Sequence, residues 1–255
     1  MELDIPKLRS EIKKINYGTH CLSPLYKSPL LAINGALNVC SKCLSFHPTF
    51  RSLENHMAMC TIPFIPVYEE EGFKISKVTP LNRKQNLCLV SQIFLKSKTL
   101  YYEVDDYDFF VVYQDEVFGY FSRQRSGDNS LDCFMVFPCF QKQGWGTVLV
   151  SYSQIKEYAG AEERGVSDKI KGAGKPYSKK AIFCFRKYWK YKVIGATTVR
   201  EISLKQNIPI DDAIVGLELQ GFNFEKWEQK GEIDTKKPRL LAHRVYKKNL
   251  AKTEE

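Results

Sequence analysis

The sequence predicts a mixed α/β (α+β) chain. A core of short strands and helices lies between an N-terminal cysteine/histidine finger and a C-terminal helix-turn-helix-like region. Three observations carry that expectation. A compact Cys/His cluster occupies residues 36–60. Strand-like runs at Leu100–Val104, Phe109–Gln114, Val117–Arg123 and Leu131–Phe137 alternate with turn residues at Asp105-Asp106 and Ser126-Gly127-Asp128-Asn129, as in an antiparallel meander. Helical patterns then dominate the C-terminal half.

Taken in order, residues 1–35 mix charges with turn formers and show little period, and Tyr26-Lys27-Ser28-Pro29 reads as a loop. Thr61–Pro80, interrupted by Pro63, Pro66 and Gly72, reads as loop and short strand. Asn86–Lys96 places Leu87, Leu89, Val90, Ile93 and Phe94 at helical spacing. Beyond the meander, Gly146–Tyr158 reads as a helix entered through a glycine turn, and Gly160–Ser178, rich in Gly and Lys, as irregular. Ala181–Ile194 is helical in pattern, with Phe183, Trp189 and Val193 turned to a core. Thr198–Gln206 and Asp211–Leu219 read as two helices joined by Asn207-Ile208-Pro209. A strand pair at Phe222–Trp227 and Arg239–Tyr246 would complete a winged-helix layout, which many small α/β caps share. No internal repeat is present.

Composition narrows the class. Of 255 residues, 44% are hydrophobic and 26% charged, ordinary globular values that exclude disorder, collagen-like repeats and low complexity. Apolar runs such as Phe109–Tyr113 are far too short to span a bilayer. Met1–Ser10 carries charge throughout and lacks the apolar stretch of a secretory leader. Eight cysteines are too few for a disulfide scaffold, so reduced thiols or a metal site in cytosol or nucleus are expected. The net charge is +9, and Lys169–Lys192 alone holds nine basic residues (eight Lys and Arg186) with no Asp or Glu. Such a stretch favours phosphate-bearing partners, and fits a solvated lysine-rich surface equally well.

Two motifs carry chemistry. Cys40-x2-Cys43-x12-His56-x3-Cys60 offers a two-cysteine knuckle and a His/Cys pair at i, i+4 on one helix face. Together they can close a tetrahedron of soft ligands around a structural zinc ion. His47, inside the spacer, reads as a surface residue. The second motif is the strand Cys133-Phe-Met-Val-Phe-Pro138 followed by Gln141-Lys142-Gln143-Gly144-Trp145-Gly146-Thr147. Glycines between a strand and a helix let backbone N–H groups and the helix dipole meet a pyrophosphate. The spacing is neither the Rossmann fingerprint nor a Walker A loop.

These residues, in this order, resemble the MYST family of histone acetyltransferases. The finger has the family's spacing. Gln85-Asn86-Leu87-Cys88-Leu89 and Lys98-Thr99-Leu100-Tyr101-Tyr102-Glu103-Val104 match its central block, and Gly119-Tyr120-Phe121-Ser122 the strand that follows. Leu131-Asp132-Cys133 matches the segment of the active-site cysteine, Gln141–Thr147 the acetyl-CoA turn, and Arg186-Lys187-Tyr188-Trp189 a later helix. The likeness runs from about Tyr17 to Leu240. It implies an N-terminal region with a C2HC finger (1–80, finger 40–60), an acetyl-CoA N-acyltransferase-like core (81–192) and a helix-turn-helix-like region (193–255). It implies transfer of acetyl from acetyl-CoA to lysine ε-amines of histone tails, with chromatin and transcription regulation in the nucleus. Partners would be the nucleosome and a multisubunit complex, with non-specific DNA contact and no membrane. Cys133 would be catalytic. Phe134, Met135 and Val136 would contact the acetyl and pantetheine groups, Gln141 to Thr147 the pyrophosphate, and Ser178 the cofactor. Lys98 falls where the family has its self-acetylated lysine.

One departure bears on mechanism. The family's catalytic glutamate deprotonates the substrate amine, which is almost wholly cationic at neutral pH. Aligned back from Tyr188-Trp189, the family's K-P-L-S element is Lys175-Pro176-Tyr177-Ser178, and the glutamate position is Gly174. A second register through Gly160–Asp168 makes Glu163 the base, at the expense of the preceding helix. The first keeps the element joined to the Tyr-Trp helix; the second keeps the chemistry. A basic enzyme must also attract a basic tail, for which Glu69-Glu70-Glu71 and Asp105-Asp106 with Asp108 are candidate groove residues. Loss of the glutamate leaves room for an inactive, scaffolding relative. The finger with the basic stretch leaves room for a nucleic-acid-binding protein.

Overall fold

The computed structural model of the chain describes residues 9–28, 30–96, 98, 100, 102–164, 170–193 and 198–221, with the backbone alone at 9, 10, 31 and 156–164. The chain divides into two compact units, Met1–Tyr120 with Met135–Phe140, and Phe121–Phe134 with Gln141–Glu255.

In the first unit, residues expected to lack regular structure form very short strands. β1 (Arg9–Glu11), β2 (Lys14–Tyr17), β3 (His20–Leu22), β4 (Leu31–Ile33) and β5 (Ala36–Val39) order as β1-β4-β5-β2-β3, and β6 (Phe46–His47) pairs with β5. The β2–β5 pairing is parallel. Tyr17 is fully buried; its hydroxyl donates to the Val117 carbonyl at 2.6 Å and its ring stacks on Phe137 at 4.0 Å.

The meander is present. β7 (Pro66–Glu70), β8 (Phe73–Lys77), β9 (Tyr107–Tyr113), β10 (Val117–Gln124) and β11 (Cys133–Val136) lie side by side in sequence order. β7–β8 and β8–β9 are antiparallel. The Asp132 and Phe137 N–H groups donate to the Ser122 and Phe118 carbonyls, which runs β11 antiparallel to β10 as well. β9 is buried on both faces from Asp108 to Tyr113, which explains its unbroken apolar run. β7 is the exposed edge, blunted by Pro66 and two glutamates. Among the described residues of Leu100–Val104 the expected strand is absent, and both edges of β9, the strand that follows it, are taken by β8 and β10. Helix α1 (Phe50–Met59) belongs to the finger, and α2 (Leu81–Gln92), starting earlier than expected, lies on the sheet. There Ser91 Oγ meets the Tyr120 hydroxyl at 2.6 Å.

In the second unit, α3 (Trp145–Arg164) runs past the expected end, so Gly160–Arg164 is helix and only 170–178 of the described stretch is irregular. α4 (Lys179–Lys192) starts on the Ser178 side-chain cap and buries Phe185, Tyr188 and Trp189. Phe183, expected in the core, is 74% exposed: it sits off the 185/188/189 stripe, on the face that carries Lys179, Lys180, Arg186, Lys187 and Lys190. Val193 is buried as expected. α5 (Val199–Gln206), capped by Thr198, turns at Asn207 (φ +50°) and Ile208-Pro209 into α6 (Ile210–Leu219), the expected helix-turn-helix. The expected strand pair at 222–227 and 239–246 lies outside the described residues. Among the described residues no helix is long and apolar enough to cross a membrane.

Candidate functional site

The Cys/His group is assembled by local turns. The segment from Cys40 to Ser45 folds back on itself: the Cys40 N–H donates to the Ser45 carbonyl at 2.9 Å and the Leu44 N–H to the Cys40 carbonyl at 2.9 Å. Leu44 takes the left-handed conformation (φ +64°), and its carbonyl accepts from Asn86 Nδ2 of α2 at 2.8 Å. His56 comes from α1, whereas Cys60 is its extended C-cap residue, so the pair is not on one helix face as the spacing suggested. The chain leaves the helix at 60 and still delivers the thiol. Ligand atoms of Cys40, Cys43, His56 and Cys60 all lie within 4.8 Å of one another. Cys40 and Cys60 Sγ are 3.8 Å apart, and a tetrahedral zinc ion with Zn–S bonds of about 2.3 Å spaces two sulfurs by about 3.8 Å. Cys43 Sγ to His56 Nε2 is 3.2 Å. The donors therefore fit zinc in kind and spacing, and four protein ligands leave no open position.

Crowding separates the thiols electrostatically. Hydrogen bonding with Cys40 is the main cause lowering the Cys43 thiol to about 3, against burial, and the same contact drives Cys40 upward. Burial raises Cys60. Lys42 Nζ donates to the Met57 and Cys60 carbonyls, and Leu53 packs on Cys40 and Cys43. His47 is not a plain surface residue. Its ring packs against that of His56 at 4.4 Å, tilted by 37°, its Nε2 meets Ser45 Oγ at 2.8 Å, and burial lowers its pKa.

The second motif straddles the strand β11 and the start of α3. Cys133, Phe134 and Val136 are half-buried and Met135 is buried. A 3-10 turn (Pro138–Phe140) leads to exposed Gln141, Lys142 and Gln143. Lys142 (φ +66°) and Gly144 (φ +98°) both take left-handed backbone, which turns the chain abruptly into the helix. The Thr147 and Val148 N–H groups both donate to the Gly144 carbonyl, so those of Trp145 and Gly146 precede the first helical bond. Trp145 is buried, with its Nε1 donating to Gln143 Oε1 at 3.1 Å. Gly146 serves packing: a Cβ there would stand 2.8 Å from Cys184 Sγ of α4. Cys184 and Cys139 are half-buried, and desolvation raises the first and pushes the second up to about 11. Ser178 Oγ accepts the Ala181 N–H at 3.1 Å as the α4 cap, and the residue is exposed.

Glu163 lies on the last turn of α3, and its side chain is outside the described residues. Gly174 lies beside the strand that bears Cys133. Its N–H donates to the Leu131 carbonyl at 2.8 Å, and Ala173 bridges in parallel to Leu131. A hollow next to it is lined by Asn129, Lys171, Lys175, Tyr177 and Asp212, among others. Asp212 is 5% exposed; burial raises its carboxyl to about 6, and it in turn helps raise Tyr177 and Tyr188. Asp212 stands out in the sequence only as an acidic residue in a helical first turn. Lys98 is half-buried, its Nζ 5.8 and 5.9 Å from the ring centroids of buried Phe109 and Tyr120. The acidic residues do not form one groove. Glu69–Glu71 lie by Gln114 and Asp115 at one end of β9, and Asp105 and Asp106 precede its other end. Asp108 is buried and paired with Lys77 at 2.8 Å.

A sequence profile described as the MOZ/SAS family matches residues 63–255, about three quarters of the chain. The chain is 27% identical to the histone acetyltransferase mst2 of Schizosaccharomyces pombe, over 95% of its own length and 63% of that protein's. It is 28% identical to the histone acetyltransferase esa-1 of Neurospora crassa, with 81% and 43% covered. It is 26% identical to the histone acetyltransferase Tip60 homolog of Caenorhabditis elegans, with 81% and 50% covered. The chain thus spans between 43 and 63% of the length of these relatives.

Proposed function

The chain belongs to the MOZ/SAS family, and from that membership we propose that it transfers acetyl from acetyl-CoA to lysine ε-amines of histone tails, in the nucleus and within a multisubunit complex. The observation that carries this reading is the passage from the Cys133 strand through Gln141–Gly144 into the N-terminus of α3. The N–H groups opening α3 and the exposed Lys142 favour a pyrophosphate there. Phe134, Met135 and Val136 on the neighbouring strand would meet the acyl and pantetheine part, and Ser178, the α4 cap, would contact the cofactor. The finger (40–60) within the N-terminal region 1–80 would hold zinc for structure, the core of 81–192 would carry the chemistry, and the helix-turn-helix of α5 and α6 belongs to the C-terminal region 193–255. When bound, acetyl-CoA supplies the thioester that the lysine amine attacks. Cys133 borders that reaction as a half-buried thiol, and Glu163 is the carboxylate the sequence offers as proton acceptor.

The full chain, incubated with acetyl-CoA and nucleosomes, should raise histone mass by acetyl increments and release CoA, and Cys133→Ala should reduce the rate. Tryptic mass spectra of the same protein should show acetyl on Lys98. A second reading has an observation behind it: Gly174 and Lys179 stand where the family has a glutamate and an aspartate. Acetyl-CoA binding without transfer would favour that scaffolding role. DNA affinity with no acetyl-CoA binding would favour a nucleic-acid-binding protein.

A further inference from the structure

The space that a side chain at position 174 would enter is not empty of charge. A Cβ built on Gly174 would meet Asn129 Nδ2 at 2.8 Å and Asp132 Oδ1 at 3.7 Å. We propose that Asp132 is the general base of the acetyl transfer, its carboxylate standing in from the strand for the one absent from the 172–174 segment. The proposal rests on the acetyltransferase reading and adds a residue to it.

Three features of this chain carry the assignment. Asp132 directly precedes Cys133 at the bend that enters β11, and its N–H donates to the Ser122 carbonyl of β10, which ties it to the sheet. Phe134, two residues further on, has its ring 3.6 Å from where a Gly146 Cβ would stand, on the side of the α3 N-terminus. Its carboxylate is oriented by donors on both oxygens: the Gln124 N–H to Oδ2 at 2.6 Å and Asn129 Nδ2 to Oδ1 at 2.8 Å. Each carboxylate oxygen offers about two lone pairs. Asp132 is exposed, so an incoming ammonium can reach it.

In the step itself, Asp132 takes one proton from the lysine ammonium. The freed amine nitrogen attacks the thioester carbonyl carbon; the C–N bond forms and the C–S bond breaks. The second proton lost by nitrogen goes to the departing sulfur, and Asp132 returns the first to water. The sum is ammonium plus thioester giving amide, thiol and one proton.

The test measures acetyl transfer to nucleosomes by the full chain across pH 7–9, with acetyl-CoA affinity and thermal midpoint as controls. D132N should slow transfer at pH 7 by about a hundredfold or more, within the range of general-base contributions. Its deficit should shrink by about tenfold per pH unit, because the substrate amine, of pKa about 10.4, then deprotonates without help. Since Asp132 also ties the 124–132 turn, D132E is measured beside it and should keep most of the activity. A D132N rate like the parent's, a deficit constant across the pH range, or a D132E rate as low as D132N overturns the assignment. E163Q is measured beside them, and a selective loss of transfer there with D132N near the parent rate would overturn the assignment by moving the base to Glu163. A parent chain that binds acetyl-CoA but transfers nothing overturns the acetyltransferase reading instead.

Discussion

Gly119→Ala probes the close backbone approach that sets the register of the cysteine-bearing strand. A Cβ at 119 would stand 2.4 Å from the Met135 carbonyl oxygen and 3.0 Å from Val136 Cα. Both are backbone atoms of β11, so no rotamer change relieves the overlap. Carbon and oxygen meet comfortably at about 3.3 Å or more. β10 and β11 must therefore part by most of an ångström, or the Gly119 backbone must twist. Overpacking of this kind costs about 1–3 kcal/mol, and alanine recovers about 0.5–1 kcal/mol of the entropy that glycine loses in a strand. Because the clash is with backbone, the upper end of the cost applies, leaving a net loss of about 2 kcal/mol. For a chain of this size that lowers the melting midpoint by about 4–8 °C. The assay is thermal unfolding followed by circular dichroism, with urea unfolding to separate midpoint from slope. Gly127→Ala is the control: its Cβ would meet only Gln124, nearest at 3.1 Å, and should change stability by less than about 0.5 kcal/mol. A Gly119→Ala midpoint no lower than that of Gly127→Ala would refute the reasoning.

Three further outcomes are expected. Purified protein should carry one zinc ion per chain by atomic absorption; Cys43→Ser should lose it and His47→Ala should keep it, and stoichiometric zinc in Cys43→Ser would exclude the four-ligand assignment. Asp212 is buried with a carboxyl raised to about 6, so the folded state binds a proton that the unfolded chain has already released; its contribution is favourable below pH 4 and is lost as pH rises through 6. Asp212→Asn should therefore gain stability over the parent between pH 4 and 7, by at most about 3 kcal/mol, and a difference independent of pH would contradict the burial argument. Lys180, Lys187 and Lys190 lie on the exposed face of α4. Changing all three to glutamine should reduce the salt slope of nucleosomal DNA binding by up to about 2.7, and an unaltered slope would remove this face from the interface.

What could be read from the chain without coordinates divides by the range of the interaction. The Cys40–Cys60 spacing announced a metal site because four ligands within a short stretch leave few arrangements, and the structure brings them together even though Cys60 has left its helix. β9 and β10 were legible because their apolar runs are long and turn residues close them. β1 to β4 were not, because strands of three or four residues take their identity from partners elsewhere in the chain. Leu100–Val104 and Phe183 failed for the converse reason: their local pattern is apolar, but no neighbouring edge or core was left for them. The same division governs the site. The Gln141–Thr147 turn is a contiguous motif and stood out as one. Gly174 and Asp132 were both visible as letters, one as a missing carboxylate and the other as an unremarked neighbour of Cys133. The hydrogen bond from the Gly174 N–H to the Leu131 carbonyl and the Ala173–Leu131 bridge lay one beside the other. A substitution that removes a catalytic side chain from a motif therefore does not by itself remove the function. The charge can return from any element that the fold brings to the same spot, and here that element is the strand already carrying the cysteine.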